Sequence, residues 1–232
     1  MSLTTPGYRP PAVVENRGMG RRRAVVRAVL GLALLALLLS SVTAIHLVRA
    51  VFFPAVDAPR PEADALMVLG PADAKLAEAA RLMGQGQARV LAVSDQDRRS
   101  PTPGTCRPQV VAELERLGWI PQEPDHLLCF RPDPVTTQGE AMVLQQLGAE
   151  HGWESVDLLA YPEHISRARI LVDRCWNGEI SYLAAPDGPA AQGADAAWDA
   201  LWYQSGALVK AGLTTGCEER LPFWLEEFGR RL

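Results

Sequence analysis

The stretch Tyr161-Pro162-Glu163-His164-Ile165-Ser166-Arg167-Ala168 places a histidine and an arginine three residues apart, directly after an apolar run, Ser155–Ala160. Proline suits the first position of a helix, where its missing N–H has no helical partner to lose. His164 then falls in the first turn, and Arg167 lies on the same face. A histidine beside an arginine and a helix N-terminus is held neutral, a state fit for a general base or for accepting a ligand hydroxyl. Arg167 can fork onto phosphate or carboxylate. The competing reading is an exposed helix start with Arg167 paired to Glu163, a surface pair worth little.

A second group follows another apolar run, His126–Phe130. In Pro134-Val135-Thr136-Thr137-Gln138-Gly139-Glu140 the spacing of Thr137 and Glu140 is that of a capping box, each side chain bonding a free backbone N–H at a helix start. The functional reading is that the Thr136 and Thr137 hydroxyls hold a ligand oxygen while Glu140 handles a proton. Near the first apolar run, Gly70, Lys75 and, after the second run, Ser94 complete the candidates. Lys75 either reaches an anion or is an exposed helix lysine. A dinucleotide fingerprint, Gly-x-Gly-x-x-Gly, is missing after the first run, and there is no P-loop, Gly-x-Ser-x-Gly elbow or His-x-x-x-His pair. His46, His126 and His151 are scattered, so neither a metal nor a dinucleotide is expected, and the cofactor is unknown.

These residues need elements to position them. Short apolar runs at 65–70, 89–94, 126–130, 155–161 and 179–185 alternate with segments of helical periodicity. That alternation predicts parallel βαβ units with both sheet faces covered. The expected fold is α/β, a three-layer Rossmann-like parallel sheet of about five strands. Ligands of such sheets sit beyond the carboxyl ends of the strands, where helix N-termini offer unpaired N–H groups. Gly70, Ser94, Thr136, Thr137, His164 and Arg167 all follow strands.

Ahead of this domain, residues 28–48 carry no formal charge and are mostly Leu, Ala and Val. At 1.5 Å per residue this run reaches about 30 Å, the thickness of a bilayer core. A cleaved signal peptide is the alternative, with Val42-Thr43-Ala44 as a weak exit; the length favours a retained anchor. Six arginines precede the run and only Arg49 and Arg60 soon follow it. The positive-inside rule therefore puts the N-terminus in the cytoplasm and the rest outside, a single-pass cell-membrane protein. The division expected is a disordered tail over 1–23, an anchor over 24–50, a stiff Pro-containing linker over 51–63, and the α/β domain over 64–232. In the C-terminal stretch Leu221-Pro222-Phe223-Trp224-Leu225, the apolar residues read as closing the core rather than meeting a lipid surface.

From Ala63 onward there are 15 Lys and Arg against 24 Asp and Glu, a net charge of −9. Such a surface disfavours nucleic acid as a partner. Cys106, Cys129, Cys175 and Cys217 all lie beyond the apolar run, where thiols pair. Three pairings exist; Cys106–Cys129 with Cys175–Cys217 closes two local loops and is the one expected.

The order of motifs resembles the YdcF/SanA/ElyC-like family of bacterial envelope-associated domains. Val68-Leu69-Gly70 resembles its "VLGxG". The run Lys75–Ser94 resembles its long helix–strand motif, with Lys75 in place of an arginine. Thr137 matches the threonine of "T-x-E-N", and His164-Ile165-Ser166-Arg167-Ala168 matches "H-x-x-R-A" at full spacing. The likeness covers about residues 64–185. Departures are Gly70-Pro71 for the paired glycines, Ser94-Asp95 for a serine-glycine, and Gly139 for the acid, with Glu140 one place later. The resemblance implies a Rossmann-like fold, an N-terminal anchor and a role in envelope or peptidoglycan maintenance. One relative's binding of S-adenosylmethionine implies a nucleotide-like ligand. Whether the domain is an enzyme is left open; if it is, the chemistry expected is hydrolysis or transfer on a small anionic envelope metabolite, phosphorylated or glycan-related. The alternative is a noncatalytic module for such a ligand or for an envelope protein.

Overall fold

The computed structural model describes residues 17–96, 105–186 and 188–217. Of the tail read over 1–23, residues 1–16 lie outside the described residues, as do the middle of the Pro/Gly-rich loop after the second strand (97–104) and the C-terminal apolar stretch; residues 17–23 are not disordered but form the start of a long helix.

Five strands form one parallel sheet: β1 (Ala63–Val68), β2 (Ala88–Ser94), β3 (Leu127–Phe130), β4 (Ser155–Ala160) and β5 (Glu179–Ala184), in the order β3-β2-β1-β4-β5. The chain winds outward from β1 to β3, then returns to the other side of β1 for β4 and β5. The strand order reverses between β1 and β4, which opens a crevice beyond their carboxyl ends.

Among the described residues, the long helix α1 (Arg17–Phe52) precedes the sheet, and α2 (Leu76–Gly84), α3 (Pro108–Arg116), α4 (Thr137–His151), α5 (Pro162–Val172) and α6 (Ala194–Leu213) accompany it. Strand side chains alternate between faces, so each strand serves two cores. Leu66 and Val68 of β1 pack with Leu76, Ala79, Ala80 and Met83 of α2 and with Val110 and Leu114 of α3. The apolar residues of α2 recur at the spacing of one helical face. Ala65, Met67 and Leu69 point the other way, into Ala141 and Leu144 of α4 and Ile165, Ala168 and Val172 of α5. The three-layer Rossmann-like α/β architecture follows, as the alternating runs predict.

Helix ends obey local chemistry. Gly152 closes α4 in a left-handed conformation (φ 67°), a geometry that costs a side chain but not glycine. Pro162 opens α5, as its fixed φ favours. The disulfides are Cys106–Cys129 and Cys175–Cys217. The first ties the segment before α3 to β3; the second ties the end of α5 to the chain beyond α6.

The chain divides by contacts into Met1–Ile45 and His46–Leu232. In the first unit, α1 is apolar and exposed; over Arg22–Phe52 the helix is long and apolar enough to cross a membrane. In the second unit, Val51 is wholly buried and the carbonyl of Ala50 accepts a bond from Ser166 Oγ (2.6 Å). The Pro-containing stretch that follows is bound along the domain: Arg169 donates to the Ala55 carbonyl, Asp57 exchanges two bonds with Tyr182, and the Arg60 N–H donates to Asp157.

Candidate functional site

A cavity of about 900 Å³ lies beyond the carboxyl ends of β1 and β4, closed on one side by α6. Its polar floor includes Gly70, Thr136, Thr137, Glu140, His164 and Arg167. Six of the sequence-derived candidates thus share one wall.

Glu140 is the hub. It is 1% exposed, and its Oε1 accepts from the Gly70 N–H (2.7 Å) and from Ser94 Oγ (2.6 Å). One carboxyl therefore joins the ends of β1, β2 and α4. The capping-box reading of Thr137 and Glu140 is corrected here. Thr136 is the cap, its Oγ1 accepting from the Gly139 N–H at 3.2 Å. Thr137 is already the first helical residue, and Glu140 reaches away from its own helix. Burial raises the Glu140 carboxyl above its ordinary value, against the bonds from Ser94 and Gly70 and the charges of Arg167 and Lys75. That favours the protonated acid.

His164 shares a hydrogen bond of 2.9 Å between its Nε2 and Thr137 Oγ1, its direction set by the tautomer. Burial holds the imidazole well below its usual value, and the charges of Arg167 and Lys75 push the same way. It is neutral. The competing picture of an exposed helix start does not hold: His164 is 8% exposed, and Glu163 is buried with its Oε1 accepting from the Ala190 N–H (3.2 Å). Glu163 makes no ion pair with Arg167 among the described residues.

Arg167 is half-buried beside the ring of Tyr203 on α6, 5.6 Å from its centroid. Its Nε is enclosed and has no acceptor. A buried donor without an acceptor is costly, although Tyr203 bonds another part of the same guanidinium. Burial lowers its affinity for the proton somewhat, opposed by Tyr203 and Glu140, and arginine stays charged.

Lys75 is neither exposed nor on the cavity wall. It is fully buried at the start of α2; its Nζ donates to the Pro71 carbonyl and stands 4.0 Å from the centre of the Tyr161 ring. It is a positive charge behind the wall, felt by both Glu140 and His164. Ser94 likewise acts from behind, through Glu140. The adjoining Asp95 is committed to Arg107 (2.5 Å).

Several cavity residues escaped the sequence reading: Gln96, Tyr161, Tyr203 and Gln204. Tyr203 and Gln204 come from α6, whose helical pattern was legible but not the face it turns to the crevice. The glycine at position 139 is explained by packing. A Cβ there would lie 1.9 Å from the Pro134 carbonyl oxygen, so no side chain fits.

A second cavity of about 700 Å³ lies at the opposite edge of the sheet, around Asp64, Arg89 and His151. Asp64 there is occupied by the Glu154 and Ser155 N–H groups and by Arg89. Glu123, Asp125 and His126 bring three ligand atoms within 4.8 Å of one another, outside the main cavity and largely exposed. Comparison of the chain with protein-family models, with curated proteins and with solved structures finds no match.

Proposed function

We propose that the cavity takes a small anionic ligand of the cell envelope, phosphorylated or glycan-linked, and that the domain hydrolyses it or transfers part of it. The observation that carries this is Arg167, a guanidinium on the cavity wall that stays charged and has no carboxylate ion pair among the described residues. An anion in the cavity meets that charge and can accept charge-assisted bonds from it.

Beside it stand two titratable groups whose environments push them in opposite directions, Glu140 toward the acid and His164 toward the neutral base. In the proposed step, a water or acceptor hydroxyl passes its proton to His164 as its oxygen bonds to the electrophilic centre. Glu140 gives its proton to the departing oxygen. Thr136 and Thr137 orient the ligand at the start of α4. The motif His164–Ala168 and its likeness to the YdcF/SanA/ElyC-like family support a place in envelope or peptidoglycan maintenance. The apolar helix with its arginine-rich flank supports a single-pass anchor with the domain outside the cell, and the disulfides fit an oxidising compartment.

A noncatalytic binding module is the second reading, favoured by the bond that already occupies His164 Nε2. Calorimetry on the full chain with inorganic phosphate, and turnover assays on phosphorylated envelope fractions, separate the two. Arg167→Ala is expected to weaken phosphate binding at least tenfold, the loss of a charge-assisted bond. If His164→Ala abolishes turnover and leaves affinity intact, the protein is an enzyme. Phosphate affinity unchanged in Arg167→Ala overturns both readings.

A further inference from the structure

The course of residues 50–62 shows at which edge of the sheet the chain joins the domain. Ala50 is bound by Ser166 in the first half of α5, Ala55 by Arg169 one turn later, and Arg60 by Asp157, near the start of β4. Residue 63 then opens β1. The segment 50–62 therefore runs from the carboxyl-end edge of the sheet, where α5 begins, to the opposite edge. The chain joins the domain at the edge that holds the cavity.

Helix α6 can be placed against the same axis. Just ahead of it, the Ala190 N–H donates to Glu163 at the start of α5; near its end, the Ala211 carbonyl accepts from Arg174 beyond the end of α5 (2.6 Å). The two helices run parallel, so the first half of α6 lies at the cavity edge. That half carries Trp198 and Trp202, in edge-to-face contact (5.8 Å between ring centroids) and 58% and 64% exposed. Four residues apart, they share one face, adjoining the face that Tyr203 turns to the cavity. Phe53, where the chain leaves α1, is 74% exposed.

Two tryptophans and a phenylalanine open to solvent are poor surface for water but suit the headgroup layer, where indole rings bury their bodies and keep their N–H wet. Asp195 and Asp199 flank Trp198, so the contact is aromatic rather than an attraction to anionic lipid. We infer that the first half of α6 docks through Trp198 and Trp202, with Phe53, into the interface of the bilayer that α1 spans, so that the cavity opens at the membrane surface. This rests on α1 being a retained span, and not on any chemistry in the cavity.

The test uses the full chain in phosphatidylcholine vesicles with plain or brominated acyl chains. α1 contains no tryptophan, so the span itself contributes nothing to quenching. Brominated lipid is expected to quench part of the tryptophan emission of the wild type, and the double variant Trp198→Phe, Trp202→Phe to lose most of that quenching. Both residues are exposed, so the variant folds. Equal quenching in both proteins overturns the inference. So does protein that floats with vesicles yet is not quenched, which leaves the anchor standing and the docking refuted. Protein that fails to float removes the anchor and the inference with it. Quenching that arises only after deletion of residues 218–232 assigns the stripe to the chain's own C-terminus. A dimer that depends on Trp198 and Trp202, without quenching, assigns it to a second copy.

Discussion

Glu140 and His164 sit on one cavity wall but bind protons in opposite senses, and stability should show both. Glu140 holds its proton more tightly folded than unfolded, because burial penalises the carboxylate most. Its contribution is therefore full below the ordinary value of 4.5 and declines as pH rises from there through the folded value. Glu140→Gln keeps an acceptor for Gly70 and Ser94 and carries no charge, so its stability should lack that decline. Glu140→Ala strands both donors and should cost roughly 2–4 kcal/mol. Chemical denaturation across pH compares the three proteins. His164 is the reverse: buried neutral, it contributes fully above 6.5 and loses that contribution as pH falls through its lowered value. Its imidazole resonances in an NMR titration should show no protonation near pH 6.5. A midpoint at or above 6.5 would remove it as a poised neutral base.

At the scale of elements, α4 and α5 deliver the site by the way their first turns are held. The start of α4 is pinned by the Thr136 cap and by contact of Gly139 with the Pro134 carbonyl. Gly139→Ala has no room and must displace this turn, at a cost of about 1–3 kcal/mol for overpacking. Because Thr137 and Glu140 move with it, the Thr137–His164 bond and the Glu140 bonds should loosen together. Faster amide exchange at Gly70 in that variant is the readout; unchanged exchange would show that the turn and the carboxyl are independent. Much of this was legible beforehand. Helix starts after the strands, the proline of α5 and the amphipathic character of α3 all follow from composition and period. The cap was misplaced by one residue, since Thr136 and Thr137 are chemically equal and only the backbone at Thr136, extended at φ −150°, makes it the cap.

Across the whole molecule, two disulfides brace the domain at its flanks. Their loops span 23 and 42 residues. Chain-entropy arithmetic puts each at roughly 3–4 kcal/mol of stability. Reduction of the purified protein, or Cys175→Ser with Cys217→Ser, should lower the thermal midpoint by several degrees. An unchanged midpoint on reduction would mean that the crosslinks constrain little. Removing Cys175–Cys217 also frees the chain after α6. Phosphate affinity should fall with it if that crosslink holds α6 over the cavity.

What the amino-acid sequence determined by itself was periodic or positional. Alternating apolar runs dictate a parallel sheet, charge-free length dictates a helix able to cross a bilayer, and topology dictates that the residues after the strands gather at one edge of the sheet. Those signals are local, carried within ten or twenty residues. Only the tertiary structure decided that Glu140 bonds Gly70 and Ser94, that Lys75 is buried behind the wall, and that α6 brings Tyr203 over Arg167. Each of these joins residues far apart in the chain. Their partners depend on how helices lie across the sheet, and no local pattern of residues encodes that.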